Sequence, residues 1–265
     1  MIKFQDFELV FRELGIDRSR PVIVHSSLSA FSEVEDGSHT IIQALLSSFN
    51  TVIMPTFTYQ TMLIPEVGPS GNALEYGSGT AQNWRAEFFH PDLSVHRSVG
   101  VVPEAFRRHQ NVRRTLHPIL SFSGHNADTL LKYQTIELPL DPIQKLMQSD
   151  GWVLLMGVDQ RVNTSMHYAE QIAGRKQFTR WALTPDGVVE CPRFPGCSQG
   201  FNALTPGLSS ILKSELVGET WIQAIPLREL IQSVYELILK DPFALLCDEL
   251  SCQRCQIIRS AAVAS

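Results

Sequence analysis

His167 and Glu170 stand three residues apart in Thr164-Ser165-Met166-His167-Tyr168-Ala169-Glu170, a spacing that puts both on one face of a helix. A carboxylate one turn from an imidazole can hold the ring's orientation and stabilise its protonated form, as a general base near neutral pH requires. The same spacing also serves an ordinary solvated pair on a helix surface, and the two residues alone leave both readings open. A second constellation is Val24-His25-Ser26-Ser27-Leu28-Ser29-Ala30-Phe31. Hydroxyls and backbone N–H groups in such a turn can meet a phosphate or a thioester carbonyl, and Leu28 and Phe31 offer apolar surface to a ligand arm. A serine-rich turn with one buried anchor would look the same.

The cysteines form a third group. Cys247, Cys252 and Cys255 make a C-x4-C-x2-C run, with Cys191 and Cys197 upstream. Four thiolates, with Cys197 joining the run, could hold a structural zinc and pin a tail that has little core of its own. The spacing also occurs in iron–sulfur ligation, and free thiols in a reducing compartment are the plain alternative. Gly196-Cys197-Ser198-Gln199-Gly200 matches the G-x-S-x-G of a hydrolase nucleophile elbow. That elbow needs a strand running directly into it and a histidine later in the chain, whereas Pro192 to Pro195 precede it and His167 is the last histidine. A loop is expected there. The common nucleotide-binding and zinc-protease signatures are absent from the sequence.

The elements that must position these groups alternate short β-branched runs with helical patterns, as in α/β proteins. PVIVH (21–25) reads as a buried strand and delivers the serine turn. A helix at 41–49, capped by Ser38 or Thr40, leads to a strand at 51–56. Residues 60–92 are rich in Gly, Pro and Ser and read as a long functional loop. A helix at 103–109, a strand at 119–124 and a helix at 125–133 follow. GWVLLMGVD (151–159) is the clearest buried strand, and it hands the polar turn Asp159–Asn163 to the helix carrying His167. In open α/β sheets such a turn lies at the ligand-binding edge. Thr164 could cap that helix or present its hydroxyl to a ligand. Strands at 178–184 and 187–192, then helices near 201–213 and 226–240, complete a mixed sheet flanked by helices. The reading is one domain over 1–265 with an irregular tail from about 241.

Composition agrees with a soluble enzyme. Of 265 residues, 44% are hydrophobic and 18% charged, and the net charge is −5. No basic block favours nucleic acid or an anionic membrane. The start of the chain reads as a short amphipathic helix rather than a signal peptide, and no run is long enough to span a bilayer. Cytoplasmic location is therefore expected, with a small-molecule partner and no oligomeric state legible.

Five segments in order resemble the aminoglycoside 3-N-acetyltransferase family. They are Val24–Leu28 with Phe31, Met54–Thr58, Gly100–Arg107, Arg114–Phe122, and Leu155–Val158 leading into Asn163–Glu170. The resemblance implies acetyl transfer from acetyl-CoA to an amine, without a covalent enzyme intermediate. His167 falls at the family's base position, with Glu170 as its orienter. His25, Ser26, Ser27, Leu28 and Phe31 resemble the acetyl-CoA contact region, and Ser27 and Thr164 are hydroxyl candidates for stabilising an oxyanion. Glu104, His117, Asp159 and Thr164 are the expected substrate contacts. Two features depart from the family pattern: Arg161 stands where many members carry an acid, and Ser32–Gly37 replaces a Gly-rich turn. Both weigh against a polycationic acceptor and towards a metabolic or biosynthetic amine.

Overall fold

The computed structural model describes residues 1–264. In chain order the elements are α1 (Phe4–Glu13), β1 (Val22–Ser26), α2 (Ser38–Ser48), β2 (Val52–Pro55), β3 (Met62–Leu63), α3 (Thr80–Asn83), α4 (Val101–Arg107), β4 (Val112–Arg114), β5 (Phe122–His125), α5 (Asp128–Leu131), α6 (Asp141–Gln148), β6 (Trp152–Met156), α7 (Thr164–Ile172), β7 (Phe178–Thr184), β8 (Gly187–Phe194), β9 (Lys213–Val217), β10 (Thr220–Pro226), α8 (Leu227–Lys240) and α9 (Gln253–Ala264).

Seven strands form one mixed sheet in the order β4-β5-β2-β1-β6-β10-β9, and β3-β7-β8 form a second. At the centre of the large sheet β1 runs parallel to both β2 and β6, with His25 opposite Leu155 and Ser26 opposite Met156. The flanking strands β5 and β10 run antiparallel to this trio. Central strands covered on both faces should be apolar without interruption, and Val22-Ile23-Val24 and Val153-Leu154-Leu155-Met156 are. Val22, Val24, Leu154 and Met156 pack into a core with α1, α2 and α4. Ile23, Val153 and Leu155 turn the other way, into a core shared with α5, α6, α7 and α8.

Helix patterns follow the same logic. Phe7, Val10, Phe11 and Leu14 recur along one face of α1 and its C-cap and are buried. The Asp6 carboxylate accepts from the Lys3 N–H at 2.7 Å to cap its start. Among the described residues no helix is long and apolar enough to cross a membrane.

Several local expectations change. Gly37, at φ +56°, caps α2 in place of Ser38 or Thr40, and the Thr40 hydroxyl instead donates to the Glu35 carbonyl. Residues 201–208 form a 3-10 helix containing Pro206, and the chain then enters the β9–β10 hairpin rather than a longer helix. β8 continues two residues past 192; it is the outer strand of its sheet, where a proline such as Pro192 is tolerated. The tail is irregular from 241 to 252, as expected, and then forms α9, which buries Cys255 and Ile258.

Candidate active site

The three parallel strands β2, β1 and β6 all end at one large cavity of about 1250 Å³. Ligand pockets for one drug-sized molecule usually occupy roughly 300–1,000 Å³, so this one has room for two substrates. Pro55, His25 and Ser26 at the strand ends, Ser27, Leu28 and Ser29 in the following turn, and Thr164 and His167 on α7 all face it.

The turn after β1 is held from below. Ser27 N–H donates to Met156 O at 3.1 Å, closing the β1–β6 ladder, and the Thr220 hydroxyl donates to Ala30 O at 2.6 Å. Gly157, the residue after β6, has φ +67°, and a Cβ there would lie 2.5 Å from the Ala30 Cβ. Only glycine lets the two turns approach so closely. His25 Nε2 and Ser26 Oγ are buried at the cavity wall with no partner among the described residues. Burial pushes His25 down to about 3, so its imidazole is neutral at physiological pH.

Asn163, not Thr164, caps α7, its side chain accepting from Ser165 N–H at 3.2 Å. That leaves the Thr164 side chain on the cavity. One turn on, His167 Nδ1 lies 2.6 Å from Glu170 Oε2. A carboxylate accepts, so Nδ1 carries the hydrogen and Nε2 is left as the ring's acceptor. The other Glu170 oxygen accepts from Arg175 at 2.7 Å, and Arg175 also donates to the Pro242 and Ala244 carbonyls at 2.9 and 2.7 Å. Glu170 is 1% and Arg175 7% exposed. The relay therefore runs from the C-terminal tail to the cavity, and Phe201 packs on the imidazole at 4.8 Å between ring centres.

Other expected site residues stand elsewhere. Phe31 is turned into the core against Phe7 at 5.4 Å and does not face the cavity, so Leu28 alone supplies the apolar surface expected of that pair. The Glu104 carboxylate is taken up by Arg107, Arg108 and the Val95 N–H, which anchors the loop ahead of α4. His117 accepts from the Ile119 and Leu120 N–H groups at 3.2 and 3.0 Å and so shapes the turn behind Leu120, which does face the cavity. Burial holds His117 down to about 4.

Asp159 forks Arg161, with contacts of 2.7 to 3.1 Å, and accepts from Asn202 at 2.9 Å. The Arg161 hydrogen bonds hold its carboxyl below the usual range. Arg161 lies in the cavity wall, but as half of an ion pair rather than as a free cation.

The loop at 196–200 is no nucleophile elbow. Cys197 Sγ accepts from Gln199 N–H at 3.4 Å, and the turn folds over a cysteine cluster. Sequence reasoning missed Arg175, whose partners are remote in the chain. It also missed Arg97, Arg180 and Arg254, which join Arg161 in the cavity wall. Among the described residues, no Asp or Glu lines it.

Fold and site together define an α/β protein with a large cavity at the carboxyl edge of three parallel strands, beside a histidine held by a buried carboxylate. The sequence model of the aminoglycoside 3-N-acetyltransferases matches residues 23–238, and the chain belongs to that family. The aminoglycoside N(3')-acetyltransferase-like protein YokD of Bacillus subtilis strain 168 is 29% identical over 167 residues, which are 60% of this chain and 61% of that protein. The match thus spans about three fifths of that relative's length. The crystal structure of the aminoglycoside acetyltransferase AAC(3)-IVa apoenzyme shares the fold at a TM-score of 0.80 and 24% identity, over 98% of each chain. The structure of AAC-IIIb with CoASH does so at 0.72 and 19%, over 90% of this chain and 96% of that one.

Proposed function

We propose that this protein is an acetyl-CoA-dependent N-acetyltransferase in which His167 is the general base. The observation that carries the reading is the buried His167–Glu170–Arg175 relay, with the imidazole's free nitrogen at a two-substrate cavity. An alkylamine at neutral pH is mostly ammonium and must lose a proton to attack. Nε2 takes that proton while Glu170 stabilises the imidazolium through Nδ1. The amine nitrogen adds to the thioester carbonyl and forms the C–N bond. As the C–S bond breaks, the nitrogen gives up its second proton to the leaving thiolate of coenzyme A, and the proton held on Nε2 passes to solvent. The carbonyl oxygen carries negative charge in between and needs donors; among the hydroxyls lining the cavity, those of Ser26 and Ser27 at the end of β1 and Thr164 at the start of α7 are the candidates.

Membership of the family supports the cosubstrate, and AAC-IIIb has been crystallised with CoASH. The arginines of the cavity wall suit the phosphates of coenzyme A. The acceptor follows from the same wall. Among the described residues the wall carries four arginines, one of them paired with Asp159, and no carboxylate, which gives a polycation nothing to pair with. The acceptor is then an amine that is otherwise neutral or anionic, of the kind met in natural-product metabolism.

The test mixes protein and acetyl-CoA with aminoglycosides, neutral amines and amino-phosphate or amino-carboxylate compounds, and follows free coenzyme A thiol. Turnover should favour the last two groups, and His167→Ala should lower it by roughly 10²–10⁴-fold. Binding of coenzyme A without turnover of any amine would instead mark a non-catalytic binding protein.

A further inference from the structure

Cys197 and the Cys247–Cys255 run, some fifty residues further along the chain, converge beside the cavity. Cys197 lies in the loop after β8, Cys247 and Cys252 in the irregular tail, and Cys255 in the first turn of α9. Their sulfurs all lie within 4.8 Å of one another, and those of Cys247 and Cys255 are 3.4 Å apart. Sulfurs bound to one tetrahedral zinc at ~2.3 Å stand about 3.8 Å from each other, so the cluster is close to the size of a single coordination shell. Cys255 is wholly buried, and Cys197 and Cys247 nearly so. Cys191 stays outside the cluster, its thiol directed at the Val189 carbonyl.

The surroundings suit a dianionic four-thiolate centre. Gln199 N–H points at Cys197 Sγ. Arg254 is fixed to Gly196 O at 2.9 Å and Arg259 to Cys247 O at 2.6 Å, which brings two guanidinium groups to the ligand-bearing segments. A two-iron cluster divides its thiolates between separate irons, whereas here all four lie mutually close, as one tetrahedral ion requires.

We propose that Cys197, Cys247, Cys252 and Cys255 bind one zinc ion, and that this clasp fixes two walls of the active-site cavity. The second part rests on the functional reading above. Binding converts four thiols to thiolates and releases four protons. The ion then ties the tail to the loop at 195–199, which lines the cavity together with Arg254. The same stretch of tail supplies the Pro242 and Ala244 carbonyls that hold Arg175, and Arg175 holds Glu170 against His167. Removing the metal frees the loop and the far end of the relay together. Cys252, Arg254 and Arg175 are thus positioning residues.

Metal analysis of the full chain, purified without chelator or metal-affinity tag, should find about one zinc per chain. Titration with a mercurial should release it in step with the cluster thiols, and Cys191→Ser should keep it. Cys252→Ser should lower zinc occupancy and raise amide hydrogen exchange at 195–199 and 242–264. Cys252→His, which restores a ligand, should recover both. Acetyl transfer by zinc-stripped protein should fall by roughly tenfold or more, as expected for a misplaced catalytic group, and return on adding zinc. Stoichiometric iron, or reduced protein that refuses added zinc, would overturn the site whatever the variants do. Full activity after stripping would overturn the positioning role. Zinc-loaded protein that acetylates no amine would uphold the site and sink the functional reading instead.

Discussion

Glu170 shares its two oxygens between the His167 imidazole and the buried Arg175 guanidinium, and the two contacts can be told apart by substitution. In Glu170→Gln the amide oxygen can still accept from Arg175, but the amide nitrogen faces His167 Nδ1 and donates to it. The proton then moves to Nε2, and the nitrogen on the cavity is no longer a base. The expected result is a fall in kcat of roughly 10²-fold or more, on the reasoning that an orienting carboxylate fixes the tautomer, with KM little changed and a Tm lowered less than in the alanine variant, because Gln keeps the hydrogen bond to Arg175 though not the charge. Glu170→Ala should lose as much activity and deprive Arg175 of both counter-ion and hydrogen bond. Its two carbonyl partners soften the penalty, so a cost near the low end of the usual range, about 3 kcal/mol, is expected, visible as a Tm drop of roughly 10 °C. A Gln variant with normal kcat would show that Glu170 serves the fold alone.

At the scale of elements, the site depends on how closely two strand ends approach. Gly157→Ala forces a side chain into a positive-φ position and against Ala30. It should cost more than about 1 kcal/mol and raise the KM for acetyl-CoA more than it lowers kcat, because the displaced turn carries Ser27 to Ser29. A variant with an unaltered KM would detach that turn from cosubstrate binding. The strand-to-helix unit around His167 was legible because an unbroken apolar run ending in a polar turn has few other readings. The β9–β10 hairpin was not. Its strands alternate with charged and polar residues on an outer edge of the sheet, and its turn at Gly218, φ +61°, was the overlooked signal. α9 escaped because its apolar residues mark no strong stripe; its place is set by Cys255 and Ile258 meeting distant partners. Arg175 was invisible for the same reason: Gly174 ends α7, and nothing local shows that the next residue turns inward to carbonyls 67 and 69 positions away. Phe31 and Glu104 were legible as residues of interest, but their packing could not be read from neighbours in sequence.

For the molecule as a whole, the same burial that keeps His25 and His117 neutral sets a limit on acid stability. Both would titrate near 6.5 in an unfolded chain, whereas in the folded protein burial holds them at about 3 and about 4. Between these values the unfolded state binds more protons, so stability is complete above pH 6.5 and falls as the pH drops towards 4. At pH 5 each histidine costs roughly 2 kcal/mol, about 4 together. This lies above the range in which ordinary carboxylates protonate, so it should appear as a separate early fall. Thermal unfolding followed from pH 8 to pH 5 should show Tm declining below pH 6.5. His117→Asn, whose amide oxygen can accept from Ile119 and Leu120 in place of Nδ1, should remove about half of that slope while keeping the turn. Because His25 lies in the cavity wall, a ligand that donates to its Nε2 would hold it neutral still more firmly. That imidazole is already neutral in the free protein down to about pH 3, so His25 adds no pH dependence to binding between pH 7.5 and pH 5.5; a coenzyme A-induced Tm shift that His25→Asn leaves unchanged at both values would remove Nε2 from the binding site.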